Sequence, residues 1–306
     1  MKAAAVTAAA LVIAAAGGTC GVADAMPHDQ PQGPLIIAHR GGTGDFPENT
    51  VLAITHAVAS GVDGLWLTVQ VSSDGVPVLY RPADLATLTD GTGPVNSKTG
   101  QQLQQLNAGW NFAMPGVDGY PYRQRAAPIP TLEQAIAVAP ADMPLFLDLK
   151  QMPAQPLVLA VAQVLNSTGA TERSTIFSTD ARITDAALGL PGLHVAESRD
   201  ITRQRLLNVA LNFRCDPPPS PGEWAGFELH REVIVTEEFT LGVGVSEVTA
   251  ELWDPAAVEC FTAQNSGMKV MGFAVNTVDD YRQAQKIGLD AVLVDSPQSA
   301  QRWRDG

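Results

Sequence analysis

Two short segments of the chain carry side chains suited to work on a phosphate ester. In LIIAHRGG an apolar run ends on His39 and Arg40, and Glu48 and Asn49 follow soon after. In PLFLDLK, Asp148 and Lys150 stand two apart, so an extended strand puts them on one face. Cations of this kind hold an anion, carboxylates hold a metal ion, and an imidazole moves a proton. Each piece also has a plainer explanation when taken alone. A His-Arg pair at a strand end is often an ion-pairing element, Glu-Asn-Thr reads as a helix start with its cap, and Asp-Leu-Lys as a simple ion pair. His28 falls in a polar stretch, His56 within a helical pattern, and nothing local singles out His194 or His230.

The elements around these residues decide whether they meet. LIIAH is a strand running into a glycine turn, and NTVLAITHAVASG has helical spacing with a cap at Asn49 or Thr50 and a stop at Gly61. GLWLTVQV alternates, Asp74-Gly75 turns, and VPVLY follows, which predicts two barrel strands joined by a tight turn. TLEQAIAVAP then PLFLDLK, QPLVLAVAQVLNSTGA then STIFST, and VMGFAVN, TVDDYRQAQKIG and LDAVLVDSP continue the alternation of strand and helix. Repeated β-then-α units over this length predict a TIM-type (β/α)8 barrel. A doubly wound open sheet is the alternative, but no G-x-G-x-x-G stands at a first strand–helix turn. In a barrel the C-terminal ends of the strands share one mouth, where His39, Arg40, Asp148 and Lys150 would converge. Residues 86–127 are irregular and rich in Gly, Pro and Gln and read as an insertion, while 212–250 give no clear pattern.

The 306 residues are 45% hydrophobic, enough for one large core, and carry a net charge of −13. Such an acidic chain is a poor partner for nucleic acid or an anionic membrane surface. Residues 1–25 have one Lys, an apolar Ala-rich run and Ala23-Asp24-Ala25, the pattern of a cleaved export signal. The expected organisation is therefore a signal peptide, a linker over 26–34 and a barrel domain over 35–306. The protein is expected in a periplasmic or extracellular location, and lipid modification at Cys20 is a second reading of the leader. Cys215 and Cys260 would remain after cleavage. They either form one disulfide or stay as two free thiols, and their spacing leaves both open. No later stretch is long and apolar enough to span a bilayer.

In combination, IIAHRGGTGDFPENT, DGVPVLY, IPTLEQAI, LFLDLK and GFAVNTVDDYRQAQKIGLDAVLVDSP resemble the successive signatures of the glycerophosphodiester phosphodiesterases. The resemblance covers about residues 35–150 and again about 268–298. It implies a TIM-type barrel with a small insertion that cleaves glycerophosphodiesters to glycerol 3-phosphate and an alcohol. It also implies two acid/base histidines and a divalent cation, calcium or magnesium, at the phosphate. By resemblance His39 is the first catalytic histidine, Glu48 of the Glu-Asn-Thr motif is counted with it as catalytic, and Arg40 and Lys150 bind phosphate. The expected ligand is a small-molecule phosphodiester or a phospholipid headgroup.

The resemblance breaks at the residues that do the chemistry. Where the family has Glu-Leu-Asp on the second strand, this chain has Trp66-Leu67-Thr68. Indole offers no lone pair to a metal, and a neutral hydroxyl is a poor substitute for a carboxylate. The third metal acid is shortened to Asp148, the one retained acid of the metal set. The second histidine is replaced by Arg81, whose pKa above about 12 bars it from proton transfer. The exchange makes the mouth more positive by about three charges, so Arg40, Arg81 and Lys150 could grip a phosphate without a cation. Trp66 would either stack on Arg81 or cover a cationic headgroup such as choline, or else fill the space the metal leaves. The expectation is a family protein that binds glycerophosphodiesters with metal-dependent hydrolysis impaired or lost. A phosphodiesterase acting through a remodelled site is the alternative.

Overall fold

The computed structural model describes residues 33–304, apart from 115, 220–222 and 264–266. The expected leader, Cys20, His28 and nearly all of the linker lie outside the described residues. In chain order the elements begin with β1 (Leu35–His39), α1 (Val51–Ala59), β2 (Gly64–Val71), β3 (Pro77–Leu79), α2 (Gly100–Leu103) and α3 (Leu132–Val138). There follow β4 (Leu145–Leu149), α4 (Ala154–Thr168), β5 (Ser174–Phe177), α5 (Ala181–Leu188), β6 (His194–Val195) and α6 (Arg199–Asn212). The last third holds β7 (Trp224–Glu228), β8 (His230–Phe239), β9 (Gly242–Glu251), α7 (Pro255–Thr262), β10 (Lys269–Phe273), α8 (Val278–Ile287), β11 (Ala291–Val294) and α9 (Pro297–Arg304).

The helices start where side-chain caps dictate. Thr50, Thr131 and Thr277 each accept a hydrogen bond from a backbone N–H of the first turn, and Gln134 and Asp280 complete capping boxes at α3 and α8. Gly288 ends α8 at φ +84°, the left-handed conformation that favours glycine.

Eight strands pair in parallel in the order β6-β5-β4-β2-β1-β11-β10-β7. Beyond the short β6, the Glu197 N–H donates to Trp224 O at 2.8 Å, which draws the two ends of the sheet together. The result is the (β/α)8 barrel that the alternation of elements predicts. One expectation needs correction: β3 is not a barrel strand. It pairs antiparallel to β2 and stands off the barrel path, because the Asp74-Gly75 turn folds the chain straight back on its neighbour.

Two apolar layers hold the barrel. The strands' outward residues, among them Ile36, Leu65, Leu67, Leu147 and Val292, pack under the helices. Each such side chain, fully buried, contributes about 1.5–3 kcal/mol, so this layer secures the fold. The inward residues Ile37, Trp66, Phe146, Phe177, Met271, Phe273 and Leu293 fill the barrel itself. Segment 80–129 folds over the mouth side of β2 on its own small core of Tyr80, Leu85, Val95, Leu103, Ala108 and Ile129. Cys215 and Cys260 are joined as a disulfide that ties the segment after α6 to α7. The stretch 212–250, opaque in the sequence, proves to contain β7 and most of a long hairpin, β8–β9.

Candidate functional site

The mouth residues are set by strand register. His39 is level with Trp66, and Trp66 with Phe146; one layer higher, Thr68 is level with Asp148, and Asp148 with Phe177. Neighbours in parallel register point the same way, so these side chains face the barrel axis in two layers. Above them opens a cavity of about 360 Å³ lined by His39, Arg40, Trp66, Arg81, Asp148, Lys150, Thr179, Arg199, Glu228 and Asp295, among others. That volume suits a small-molecule ligand. A larger groove of about 1170 Å³ between α1, α3 and residues 114–130 shares none of these side chains. The smaller cavity is the candidate site, because it lies at the C-terminal ends of the strands and gathers four cations, three carboxylates and a histidine.

His39 ends β1. Its Nδ1 lies 2.6 Å from Asp295 Oδ1, just past the end of β11, and Nε2 has no hydrogen bond among the described residues. Asn276 fixes Asp295 in turn: its amide donates to Asp295 Oδ2 at 2.8 Å, and its carbonyl oxygen accepts from the Asp295 N–H at 2.9 Å. Burial pushes the Asp295 carboxyl upward, but its hydrogen bonds to His39 and Asn276 outweigh that and hold it below the usual carboxylate range.

Four cations face the cavity. Arg40 sits in the turn after β1 at φ +51°, a conformation that L side chains rarely adopt. Asn49 and Ala274, also by the mouth, share that strain. Gly42 allows the turn, since a Cβ there would lie 2.9 Å from Pro297 Cδ. Arg40 Nη1 is held by Glu48 Oε2 at 2.6 Å, and the Thr43 hydroxyl donates to the same oxygen at 3.1 Å. Lys150 Nζ donates to Thr179 Oγ1 at 2.9 Å and lies 3.1 Å from Asp148 Oδ1. Arg199 opens α6, pairs with Glu228 and stacks over Phe227 at 4.6 Å. Arg81 makes no hydrogen bond or ion pair among the described residues, although its backbone is fixed on both sides by Gln70.

The donor set does not fit a divalent cation. Trp66 is only 4% exposed, its ring packed on Phe177 at 4.7 Å, Phe273 at 5.1 Å and Phe146 at 6.1 Å. Thr68 is fully buried and its hydroxyl has no partner among the described residues. Asp148 is buried beside Lys150; burial raises its carboxyl above the ordinary range against the pull of that ammonium, which disfavours a free anionic ligand. Among the described residues no group of three or more His, Cys, Asp or Glu side chains is placed to hold a metal. No cation stands over the Trp66 ring among the described residues, and the indole forms the floor of the cavity.

Every site residue named from the sequence is therefore at or directly behind the mouth: His39, Arg40, Trp66, Arg81, Asp148 and Lys150 line it, and Glu48 buttresses Arg40. The sequence reading missed Asp295, Arg199 and Glu228. Asp295 was findable, because LDAVLVDSP puts it at the C-terminal end of a strand. Arg199 follows a two-residue strand and Glu228 ends one in the opaque stretch, so neither had a readable signal. Other acids are accounted for locally. Asp63 accepts from the Ile36 N–H and pairs with Arg304, and Asp74 and Asp84 cap turns. His56 stacks on Phe46 at 3.9 Å, and His194 and His230 are each paired with carboxylates away from the mouth.

Comparison with known proteins bears on this arrangement. The family profile described as "Glycerophosphoryl diester phosphodiesterase family" matches residues 39–299. The uncharacterized protein Rv2277c of Mycobacterium tuberculosis is 76% identical over 96% of this chain and 97% of its own. The crystal structure of its glycerophosphoryl diester phosphodiesterase domain superposes with a TM-score of 0.83 at 75% identity, covering 89% of this chain and 99% of that one. Human glycerophosphodiester phosphodiesterase 1 is 40% identical over 33% of this chain, which spans only 29% of the human protein. A phosphodiesterase of Oleispira antarctica, solved with the product sn-glycerol-3-phosphate, shares the fold with a TM-score of 0.67 at 24% identity, covering 90% of this chain and 98% of that one.

Proposed function

Because the chain belongs to the glycerophosphoryl diester phosphodiesterase family, we propose that it holds glycerophosphodiesters or phospholipid headgroups in the barrel mouth without a metal ion, and that the family's metal-dependent hydrolysis is impaired or lost. The observation that carries this reading is Trp66. Its indole fills the layer level with His39, where the family resemblance expects a metal-binding acid, and three aromatic rings pack around it.

Four cations replace the metal's charge. Arg40, Arg81, Lys150 and Arg199 line the cavity, and guanidinium groups pair bidentately with phosphate oxygens. Glu48 serves this reading by fixing Arg40 rather than by touching the ligand. Hydrolysis by the family route lacks its second histidine, whose place Arg81 takes. His39, oriented by Asp295, can accept a proton from an attacking hydroxyl, but Arg81 cannot give one to the departing alkoxide. Loss of one positioned acid typically costs a hundred- to ten-thousand-fold in rate, roughly.

The leader-like residues 1–25 and the Cys215–Cys260 bond both support export, since disulfides persist in oxidising compartments. A second reading, a hydrolase with a remodelled site, is favoured by the intact His39–Asp295 pair. Assay of glycerol 3-phosphate release from a panel of glycerophosphodiesters, with calcium, magnesium, manganese or chelator, separates the two. No release by folded protein supports the binding reading; release that disappears in His39→Ala supports the hydrolase.

A further inference from the structure

The hairpin β8–β9 has no role in the mouth chemistry, yet it is the most exposed apolar feature of the described residues. Each strand has ten residues, so the hairpin extends on the order of 33 Å from the barrel rim. Ile234 is 70% exposed, Phe239 61% and Leu241 100%, and Val243, Val245 and Val248 are also exposed. Among the described residues the hairpin is a two-stranded sheet of its own, so the outer edge of β8 has no strand partner there. An isolated hairpin of this kind is marginal in water, and an open apolar edge is a template for another strand. Its root is firm, since His230 reaches Asp280 at 3.1 Å and Arg231 reaches Glu228 at 3.1 Å.

The order of charges along β8 says what covers it. The strand reads HREVIVTEEF, with its cations at the root and its carboxylates Glu237 and Glu238 at the tip. If two copies pair antiparallel about a twofold axis through Ile234, His230 falls opposite Glu238 and Arg231 opposite Glu237. The same register sets Glu232 against Thr236, Val233 against Val235, and Ile234 against itself. Shifting the axis by one residue toward the tip opposes Glu232 to Glu238, and shifting it toward the root leaves His230 and Arg231 opposite the uncharged Thr236 and Val235. One register alone matches both cations to both tip carboxylates, which is the self-complementarity that an isologous interface requires. A basic or zwitterionic lipid surface would use no such ordering.

We propose that the occupant of this edge is a second copy of the chain, joined β8 to β8 with Ile234 at the dyad.

Sedimentation equilibrium on the purified chain tests this with Arg231→Glu, Glu237→Arg and an equimolar mixture of the two. The wild type is expected to dimerise, and each variant alone to associate about tenfold more weakly or worse, because like charges then meet twice. The mixture is expected to recover wild-type association as a heterodimer, which no folding defect in either variant would produce. A wild type that stays monomeric from micromolar to several hundred micromolar overturns the proposal. So does a dimer indifferent to both variants, a mixture that fails to recover, or a monomer that instead binds phosphatidylcholine vesicles through Leu241.

Discussion

Gln70 grips the chain on both sides of Arg81, its side-chain amide donating to the carbonyl oxygens of Tyr80 at 2.9 Å and Pro82 at 3.0 Å. The backbone is thus fixed at the cavity while the guanidinium has no partner among the described residues and is free to meet a ligand. Arg81→Ala removes charge-assisted hydrogen bonds, each of about 1.5–3 kcal/mol, and should weaken phosphodiester binding about ten- to a hundredfold. Because Arg81 makes no side-chain pair among the described residues, thermal unfolding of the variant should match that of the wild type. Calorimetry and a melting curve check both halves.

Trp66 is expected to resist conversion back to a metal ligand. Trp66→Glu replaces a buried indole by a carboxylate among Phe146, Phe177 and Phe273, where desolvation opposes its charge. The loss of packing alone corresponds to about 3–5 kcal/mol, the range for truncating a buried aromatic. Urea unfolding of Trp66→Glu and Trp66→Phe should show a large loss in the first and a small one in the second. Restoring Thr68→Asp, Arg81→His and Asp148→Glu alongside Trp66→Glu should bring back calcium binding only if the surrounding rings are also reduced in size.

At the opposite end of the barrel, His194 Nδ1 lies 2.6 Å from Glu223 and Nε2 3.6 Å from Glu172. The hydrogen bond to Glu223 lifts the imidazole above its ordinary 6.5, against the opposing effect of burial, and Glu172 adds to the lift. A raised histidine contributes its stability in full below about pH 6.5 and loses it as pH climbs through the folded-state value. The contribution is below about 1 kcal/mol, because the groups are partly exposed. Denaturant midpoints between pH 5.5 and 8.5, roughly the span of histidine titration, should fall with rising pH by more in the wild type than in His194→Gln.

The Cys215–Cys260 bond closes a loop across a sequence separation of 45. On the chain-entropy account such a crosslink stabilises by about 4 kcal/mol at 25 °C. The double variant Cys215→Ala, Cys260→Ala should lose stability of that order in urea, and dithiothreitol should lower the wild type to the same midpoint.

The barrel was legible because its strands are apolar runs closed by glycine turns and its helices carry threonine caps, signals that local chemistry enforces. The mouth was legible where it lay at strand ends that could be seen: His39 after LIIA and Lys150 after LFLDL. Arg199 and Glu228 were not, because β6 has two residues and β7 abuts the hairpin. The hairpin hid for a physical reason. Water reaches both of its faces, so apolar and charged residues are mixed on each and no period-two core face develops. The antiparallel placement of β3 was misread because Asp74-Gly75 marks a tight turn without saying whether the next strand joins the barrel.

The central claim is that arginine and lysine have taken over the metal's task in the mouth. It is tested most directly by titrating glycerophosphocholine into the protein by calorimetry, once in excess EDTA and once in millimolar calcium. The account predicts the same affinity in both, lost on Arg81→Ala. Heat absent in EDTA and restored by calcium would contradict it.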